Sequence, residues 1–392
     1  MLKVGLVVGA VGENWLGGVN YFKSLVTALT SYPDGVVEPI VVMGNKAPAA
    51  VAAAFTGCKV IRTSLCDRRS LLRYADKSLS SLCGRNLLFQ ALVRKHGFKV
   101  MSHVNQLRLD RAVATIGWVP DLQHAFLPEF FSSHEISARN LEFGRALKEC
   151  DLVLVSSNSA KHDLLRHFGR SPAKVAVLQF VPDMPLENLQ VPLAKLEVMY
   201  EFNEPYFFLP NQFWIHKNHR VVIRALAELK RQGHSTPLIL LTGNQRDHRF
   251  PGHFDALMDE VKTLGIEDRF RVLGVVPYAH LLSLMWHSIA VVNPSLFEGW
   301  STTVEEAKAM NKIVVLSDIP VHREQAPERS MYFEPHDFQA LAANLMAATA
   351  QSNTNAMNLE ELHEKCEVKR KQFARNYQHL VGEALRGRRP SL

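Results

Sequence analysis

Short apolar runs alternate with amphipathic segments along nearly the whole chain. Apolar runs of about four to eight residues are typical of buried parallel strands, because helices cover both faces of such a sheet. In the first half, the runs that predict strands lie at residues 3–10, 36–43, 59–63, 99–104, 112–118, 152–155 and 175–180. In the second half they lie at residues 206–209, 238–241, 269–275, 289–292 and 313–317. Helical periodicity is clearest at residues 19–31, 218–232, 254–264, 338–349 and 360–385.

This alternation predicts an α/β fold with mostly parallel sheets and helices on both faces. It occurs twice within 392 residues, which is enough chain for two domains. Three prolines cluster between residues 181 and 200, where we expect the joint. The predicted organisation is a Rossmann-like domain over residues 1–185, a second over residues 200–358, and a C-terminal helix within residues 359–392.

Composition favours an ordinary soluble globular protein, since 47% of residues are hydrophobic and 21% are charged. The five cysteines form no Cys-x-x-Cys pair, which is consistent with a reducing cytoplasm. The N-terminal apolar run is interrupted too early to predict a signal peptide. No apolar run approaches the ~20 residues of a membrane span. We therefore expect a cytoplasmic protein.

The net charge of +7 is concentrated in the first half of the chain. Residues 1–190 contain 22 basic and 15 acidic side chains, and residues 59–111 contain 12 and 3. Such asymmetry predicts an anionic partner surface or a solvated basic face, and both interpretations stay open. A nucleic-acid partner is not expected, because the chain lacks a basic and aromatic recognition element.

One basic segment has the pattern of an amphipathic helix. Leu72, Ala75 and Leu79 recur at helical spacing, and Arg69, Arg73 and Lys77 form a second stripe. A helix of this kind could lie on an anionic membrane surface. Packing of the same helix on the sheet is the alternative.

The segment after the apolar run 289–292 is the most informative one for function. It predicts a strand, a tight loop at Gly299 and a helix whose start is capped by Ser301 to Thr303. Thr302 and Thr303 each precede a glutamate by three residues, which fits a capping box. The helix start offers unpaired N–H groups to an anion such as phosphate. Glu298 and Glu306 bracket that position, and carboxylates beside a phosphate site suggest ligand hydroxyl groups, as in a sugar.

Glu298-x7-Glu306, after Pro294-Ser295 and before Ala309-Met310, resembles the Glu-x7-Glu motif of retaining glycosyltransferases of family 4. The resemblance implies the GT-B fold, in which two Rossmann-like domains face each other across a cleft. In that fold the C-terminal helix commonly crosses back to the first domain, which is the expectation for the helix at residues 359–392. It also implies that Glu298 contacts the donor sugar and Glu306 contacts the ribose of the nucleotide. The loop residues that it assigns to donor binding are Gly299, Trp300, Ser301 and Thr302.

A second motif follows the first strand of the second half. Lys217 precedes a predicted helix, where a cation can stabilise a leaving diphosphate. Asn211 and Gln212 belong to the same donor-binding loop, and Gln212 stands where many family members carry an arginine. The nucleotide base is expected on the backbone near Val275 and Val276, after the strand predicted at residues 269–275.

Two features of the first half complete the predicted site. Gly17 and Gly18, predicted just before a helix, resemble the Gly-Gly loop that lies near the donor and acceptor in family 4. His124 follows a predicted strand and is placed to contact the donor sugar or the acceptor, or else it is a buried structural histidine. No metal-ligand spacing and no Asp-x-Asp tripeptide occur in the sequence.

The sequence is thus identified as a member of family 4. The resemblance implies transfer of a sugar from a nucleotide-diphosphate sugar to an acceptor hydroxyl, with retention of the anomeric configuration. It implies no metal and no cofactor beyond the nucleotide-sugar substrate, and a sugar or lipid-linked sugar as acceptor in polysaccharide, glycolipid or glycan assembly. A sugar-nucleotide epimerase of the same fold and an inactive carbohydrate-binding or nucleotide-binding relative are the alternatives.

Overall fold

The computed structural model describes residues 1–9, 16–32, 35–55, 57–189, 191–351 and 358–387. The chain forms two compact units. The first comprises Met1–Asp183 and Val368–Leu392, and the second comprises Met184–Glu367.

The first unit is built on a parallel sheet of seven strands within the described residues. The strands are β1 (Leu2–Val7), β2 (Val37–Met43), β3 (Lys59–Arg62), β4 (Val100–Ser102), β5 (Ala114–Val119), β6 (Leu152–Val155) and β7 (Lys174–Val177). Their order across the sheet is β3-β2-β1-β4-β5-β6-β7. The helices are α1 (Leu16–Ser31), α2 (Ala49–Ala53), α3 (Leu71–Cys83), α4 (Leu87–His96), α5 (Gln123–Phe126), α6 (Ser133–Glu149) and α7 (Asn158–Phe168).

The second unit contains a parallel sheet of six strands in its described part. The strands are β8 (Tyr206–Leu209), β9 (Leu238–Thr242), β10 (Phe270–Gly274), β11 (Ala290–Asn293), β12 (Ile313–Ser317) and β13 (Ser330–Phe333). The order is β10-β9-β8-β11-β12-β13. The helices are α8 (Leu193–Tyr200), α9 (His219–Arg231), α10 (His253–Thr263), α11 (Tyr278–His287), α12 (Thr302–Ala309), α13 (Pro320–Gln325) and α14 (Phe338–Gln351). The last helix, α15 (Leu359–Arg386), begins in the second unit and continues into the first, which includes the chain from Val368 onward.

Both faces of the second sheet are buried, which explains its continuous apolar runs. Along β8, Phe207 and Leu209 belong to one apolar cluster, whereas Tyr206 and Phe208 belong to the cluster on the other face. The strand order reverses between β8 and β11, which are direct neighbours at Phe208 and Val291. In sheets of this kind, ligands bind outside the carboxyl ends of the strands at such a switch point.

Several local predictions differ from the structure. The strand β13 was not predicted, because only Phe333 in it is fully buried and its apolar signal is weak. The helix α1 already begins at Leu16, so Gly17 and Gly18 lie in its first turn and not before it. Residues 10–15 of the predicted Gly-Gly loop lie outside the described residues.

The basic stripe predicted for residues 69–77 is also wrong in part. The helix α3 begins at Leu71, which leaves Arg69 outside it. Arg73 is half-buried and its Nη1 donates a hydrogen bond to the carbonyl oxygen of Cys66 over 3.4 Å. Among the described residues, no helix is both long and apolar enough to cross a membrane.

Candidate active site

The loops that follow β8 and β11 meet at the switch point of the second sheet. After β8 the chain makes a short turn of 3-10 helix, Ile215–Lys217, directly before α9. Asn218, at φ 55°, separates the two and donates hydrogen bonds from Nδ2 to the carbonyl oxygens of Pro294 (3.1 Å) and Pro335 (2.8 Å). The N–H of Leu296 donates to the carbonyl oxygen of His216 over 2.8 Å. These bonds hold the Lys217 turn against the loop that carries Glu298.

Lys217 and Glu298 form an ion pair, with 2.6 Å between Nζ and Oε1. Their side chains are 14% and 10% exposed, so the pair is largely shielded from water. Burial raises the pKa of Glu298, but the Lys217 ammonium and hydrogen bonds from Lys217 and Ser295 outweigh it. The net pKa of Glu298 is lower than usual, and the carboxylate is ionised at neutral pH.

A buried hydrogen-bond network holds this pair from behind. The Oδ1 atom of Asn293 accepts a hydrogen bond from Nδ2 of Asn211 (3.0 Å), and its Nδ2 donates to Oγ of Ser301 (2.8 Å). The Oγ atom of Ser295 lies 2.7 Å from both Oδ1 of Asn293 and Oε1 of Glu298, so its single proton serves one of them at a time. The network therefore connects the ends of β8 and β11 to the start of α12.

The start of α12 is capped by Ser301, whose Oγ accepts a hydrogen bond from the N–H of Val304. The two predicted capping boxes at Thr302 and Thr303 are wrong, because both glutamates bond elsewhere. Glu305 pairs with Nζ of Lys308 over 2.7 Å. Thr302 is the first helical residue, and the loop before it contains Gly299 and Trp300.

Glu306 is nearly fully buried and lies on α12 without an ion-pair partner among the described residues. Burial raises its pKa to about 7, although a hydrogen bond from the hydroxyl of Tyr278 (2.7 Å) opposes that shift. Tyr278 begins α11, two residues after Val276. Val275 follows directly after β10 and is 68% exposed.

Sequence reasoning missed two residues that support the Glu298 loop, one at the end of β12 and one on α13. Ser317 ends β12, and its Oγ donates a 2.5 Å hydrogen bond to the carbonyl oxygen of Ser295. The Nδ1 atom of His322 donates to the carbonyl oxygen of Ser317 over 2.9 Å. Burial lowers the pKa of His322, which keeps the ring neutral, and its Nε2 atom has no hydrogen-bond partner in the described part of the chain. The parallel pairing of β11 with β12 aligns Asn293 with Leu316, and it therefore brings the next residue, Ser317, beside the loop after β11.

The turn that contains Asn211 and Gln212 packs tightly against the end of β9. Gly243 has φ 139°, and a Cβ atom there would lie 2.6 Å from the carbonyl oxygen of Asn211 and 2.8 Å from Cα of Gln212. The N–H of Phe213 donates to the carbonyl oxygen of Asn244 over 3.0 Å. Only glycine allows this approach without displacement.

The remaining predicted site residues lie in the first unit. Gly17 is exposed and Gly18 is buried in the first turn of α1. His124 is buried on α5, with Nε2 3.0 Å from Oδ1 of Asn140 and its ring edge-on to Phe143. Burial lowers the pKa of His124, so the ring is neutral, and its Nδ1 atom has no partner among the described residues.

His103, which sequence reasoning also missed, lies directly after β4 in the left-handed region at φ 63°. Its Nε2 atom lies 2.9 Å from the hydroxyl of Tyr21 and its Nδ1 atom 2.9 Å from Oγ of Ser102. Burial lowers its pKa to about 3. A non-glycine residue in this conformation at a strand end was not readable from the sequence pattern.

In the described residues, no group of three or more His, Cys, Asp or Glu side chains has the geometry of a metal site.

Comparisons with known proteins find sugar transferases in part of the chain. Residues 201–367 match the family described as "Glycosyl transferases group 1". The chain is 28% identical over 192 residues to an O-antigen chain mannosyltransferase of Salmonella typhimurium, covering 49% of each protein. It is 28% identical over 173 residues to an N-acetylgalactosamine-N,N'-diacetylbacillosaminyl-diphospho-undecaprenol 4-alpha-N-acetylgalactosaminyltransferase of Campylobacter jejuni, covering 43% of this chain and 42% of that one. The matches thus span about half the length of these curated relatives.

Solved structures match nearly the whole chain. A sucrose-phosphate synthase from Thermosynechococcus elongatus aligns with a TM-score of 0.68 and 16% identity, over 97% of this chain and all of that one. The Anabaena protein HepE in complex with UDP and glucose aligns with a TM-score of 0.66 and 15% identity, over the same shares. At this identity the likeness shows the fold, and it confirms the predicted pair of Rossmann-like domains of the GT-B class.

Proposed function

We propose that the chain transfers a sugar from a nucleotide-diphosphate sugar to an acceptor hydroxyl. The match of residues 201–367 to the family described as "Glycosyl transferases group 1" supports this proposal. The observation that carries this proposal is the Lys217–Glu298 pair at the carboxyl ends of β8 and β11. A cation and a carboxylate at a switch point match the two parts of such a donor, its diphosphate and its sugar hydroxyls.

Transfer breaks the bond between the anomeric carbon and the diphosphate oxygen, and negative charge develops on the leaving diphosphate. An ammonium group has three N–H donors, so Lys217 can bind phosphate oxygens while it keeps one bond to Glu298. Positive charge fixed at that point stabilises the leaving group. The N–H groups at the start of α12, near Thr302, would bind the same diphosphate.

The carboxylates have separate roles in this proposal. Glu298 is ionised and would accept hydrogen bonds from the transferred sugar. Glu306 would hold the ribose, with Tyr278 beside it, and the backbone at Val275 and Val276 would hold the base. Ribose hydroxyls donate more strongly to a carboxylate than to a carboxylic acid, so the ionised form of Glu306 is the binding form.

The proposal includes retention of the anomeric configuration, which rests on the resemblance of Glu298-x7-Glu306 to the family 4 motif. NMR of the first product formed, before it equilibrates, tests this directly. An α-linked donor should give an α-linked product, and a β-linked product would show inversion.

The acceptor that we propose is a sugar or a lipid-linked sugar, with His124 of the first unit as its contact. The Campylobacter relative is named for a diphospho-undecaprenol substrate, which supports a lipid-linked acceptor. Both curated relatives are named as sugar transferases, and one of them for the O-antigen chain, which supports a role in polysaccharide or glycan assembly. In this proposal the reaction takes place on the cytoplasmic side of a membrane.

A nucleotide panel tests the function. Thermal melting with UDP, GDP, ADP and CMP should show one nucleotide that raises the melting temperature, since ligand at about 100 times its Kd adds about 2.7 kcal/mol. The corresponding sugar nucleotides are then assayed for release of the nucleoside diphosphate and for epimerised sugar nucleotide. Released diphosphate together with a glycosylated acceptor supports a transferase, whereas an epimerised donor without release supports the epimerase alternative. No melting shift with any nucleotide would contradict the proposal.

A further inference from the structure

The helix α3 presents apolar side chains to solvent. Leu71, Tyr74, Ala75 and Leu82 recur at the spacing of one helical face, and all four are exposed. Leu71 is 89% exposed, Leu82 84% and Tyr74 54%. Two leucines this exposed on one face of an amphipathic helix are unusual for a helix that packs on its own sheet.

The opposite face of α3 is held to the protein by a polar contact. Asp76 is only 4% exposed. Its Oδ1 accepts a hydrogen bond from the N–H of Leu88 (2.8 Å), and its Oδ2 accepts one from Nδ2 of Asn86 (2.9 Å). The carboxylate thereby satisfies the N-terminal end of α4, where N–H groups lack helical partners and negative charge is favoured. This contact turns the polar face of α3 inward and leaves its apolar face outward.

The surroundings of this face are strongly basic. The three acidic residues between positions 59 and 111 are all engaged within the first unit. Asp67 accepts a hydrogen bond from the N–H of Lys46 (3.0 Å), Asp76 caps α4, and Asp110 pairs with Arg94 (2.9 Å). The basic residues on α3 and at its two ends that remain exposed are Arg68, Arg69, Lys77 and Arg85.

We propose that the α3 face, formed by Leu71, Tyr74, Ala75 and Leu82 with the exposed bases Arg68, Arg69, Lys77 and Arg85, docks on a bilayer that contains anionic phospholipid. The leucines would enter the boundary between headgroups and acyl chains, and the basic side chains would contact lipid phosphates. A second copy of the chain fits less well, because two such faces would bring like charges together. This docking needs no transfer activity, so it stands or falls separately from the proposed function.

Flotation of the full chain with liposomes tests the docking. The chain should bind vesicles of 70% phosphatidylcholine and 30% phosphatidylglycerol and bind pure phosphatidylcholine vesicles at least about tenfold more weakly. Binding should fall as salt rises, because the Debye length shortens from about 30 Å at 0.01 M to about 10 Å at 0.1 M.

Two double variants separate the apolar and the electrostatic contributions. Leu71→Ser with Leu82→Ser should weaken binding at least about tenfold. Arg69→Gln with Lys77→Gln should weaken it about 25-fold, at roughly fivefold for each basic residue. The matched control is Lys195→Gln with Val198→Ser, which removes one exposed base and one exposed apolar side chain from α8 and should leave binding unchanged. All the substituted residues are exposed, so thermal melting should confirm that each variant is folded.

Three outcomes would overturn the docking proposal. They are no binding to anionic vesicles at low salt, equal binding to anionic and neutral vesicles, and equal binding by wild type and both double variants. A dimer in sedimentation equilibrium that Leu71→Ser with Leu82→Ser converts to monomer would assign the same face to a second copy of the chain instead.

Discussion

The charged side chains of Lys217 and Glu298 stabilise each other. Both are largely shielded from water, and an unpaired charge in such a position is unfavourable. Glu298 is kept ionised chiefly by the ammonium group at 2.6 Å. Ser295, Ser317 and His322 then fix the carboxylate through a chain of hydrogen bonds that passes through the end of β12 and ends on α13. The neighbours that keep Glu298 ionised therefore also hold its carboxylate in position.

Replacement of Lys217 tests its role at the leaving group. Lys217→Ala should lower kcat/KM about 30- to 1000-fold, because the main cation beside the diphosphate is lost. This corresponds to roughly 2–4 kcal/mol of lost transition-state stabilisation. Glu298→Gln should lower kcat and largely spare nucleotide affinity. Steady-state kinetics with the donor found in the nucleotide panel, and calorimetry with the free nucleotide, measure the two effects.

Lys308→Ala is the matched control, because it removes a comparable lysine–glutamate pair on α12. It should cost far less activity than Lys217→Ala. A loss under threefold in Lys217→Ala, or equal losses in the two variants, would remove Lys217 from the chemistry.

The raised pKa of Glu306 predicts a pH-dependent stability. Its folded pKa of about 7 exceeds the ordinary value of 4.5, so the folded chain binds a proton more tightly than the unfolded chain. Between these two values stability falls as pH rises, and the cost reaches roughly 3 kcal/mol above pH 7. Glu306→Gln keeps an acceptor for Tyr278 and carries no charge. Its stability relative to wild type, from urea unfolding, should therefore increase by roughly 2 kcal/mol between pH 5 and pH 8. An equal difference at both pH values would contradict the shift.

The same residue predicts a pH-dependent affinity. Wild type should bind the nucleotide more tightly as pH rises through about 7, because the ionised carboxylate is the better acceptor for ribose hydroxyls. Glu306→Gln should bind more weakly at pH 8 and show little of this dependence. Calorimetry at pH 6 and pH 8 measures both, and a wild-type affinity that is flat across this range would exclude Glu306 as the ribose contact.

At the scale of elements, the site depends on the close contact between the turn after β8 and the turn after β9. Gly243 allows that approach, since any side chain there would meet the backbone of Asn211 and Gln212. The turn after β8 also carries Lys217, so a change at the end of β9 would shift Lys217 through the backbone of that turn. The helix α12 is positioned in a similar way, by the bond from Asn293 to its capping serine.

Gly243→Ala should destabilise the chain by roughly 1–3 kcal/mol and lower kcat/KM, because the residue has φ 139° and its Cβ would displace the Asn211 turn. Gly144→Ala is the matched control. Gly144 lies inside α6, and a Cβ there would make an ordinary 3.7 Å contact with Phe168. That change should raise stability by roughly 0.5–1 kcal/mol. Equal effects of the two substitutions on denaturant unfolding would refute the strained approach at Gly243.

At the scale of the whole molecule, predicted site residues occur in both units. The second unit provides Lys217, Glu298 and Glu306, and the first provides His124 together with the exposed face of α3. Under the proposed function, donor chemistry would be carried mainly by the second unit, and contact with the acceptor by the first.

We predict that transfer by the full chain needs no divalent metal, because Lys217 and the start of α12 offer the positive charge that a metal would otherwise supply. Activity measured with excess EDTA should equal the activity measured with Mg²⁺ or Mn²⁺. Loss of transfer in EDTA that either ion restores would contradict this prediction.

The sequence alone determined the architecture and proposed the central residues of the candidate site. Buried parallel strands are apolar on both faces, so runs such as residues 206–209 and 313–317 predicted β8 and β12 with the bounds that the structure shows. Glu298 and Lys217 were proposed from the sequence because their motifs are short and local. That they form an ion pair was not predicted, since they are 81 positions apart.

Tertiary structure decided the features that depend on a distant partner. The capping residue of α12 is Ser301 and not a threonine, because Asn293 holds Ser301 and the glutamates bond to Tyr278 and Lys308. The orientation of α3 is the clearest case. Periodicity identified an amphipathic helix, but the side that turns inward was decided by Asp76, whose carboxylate satisfies the open N-terminus of α4. A sequence pattern reports the spacing of apolar side chains, whereas the free energy of an unpaired N–H group depends on which element the fold brings beside it.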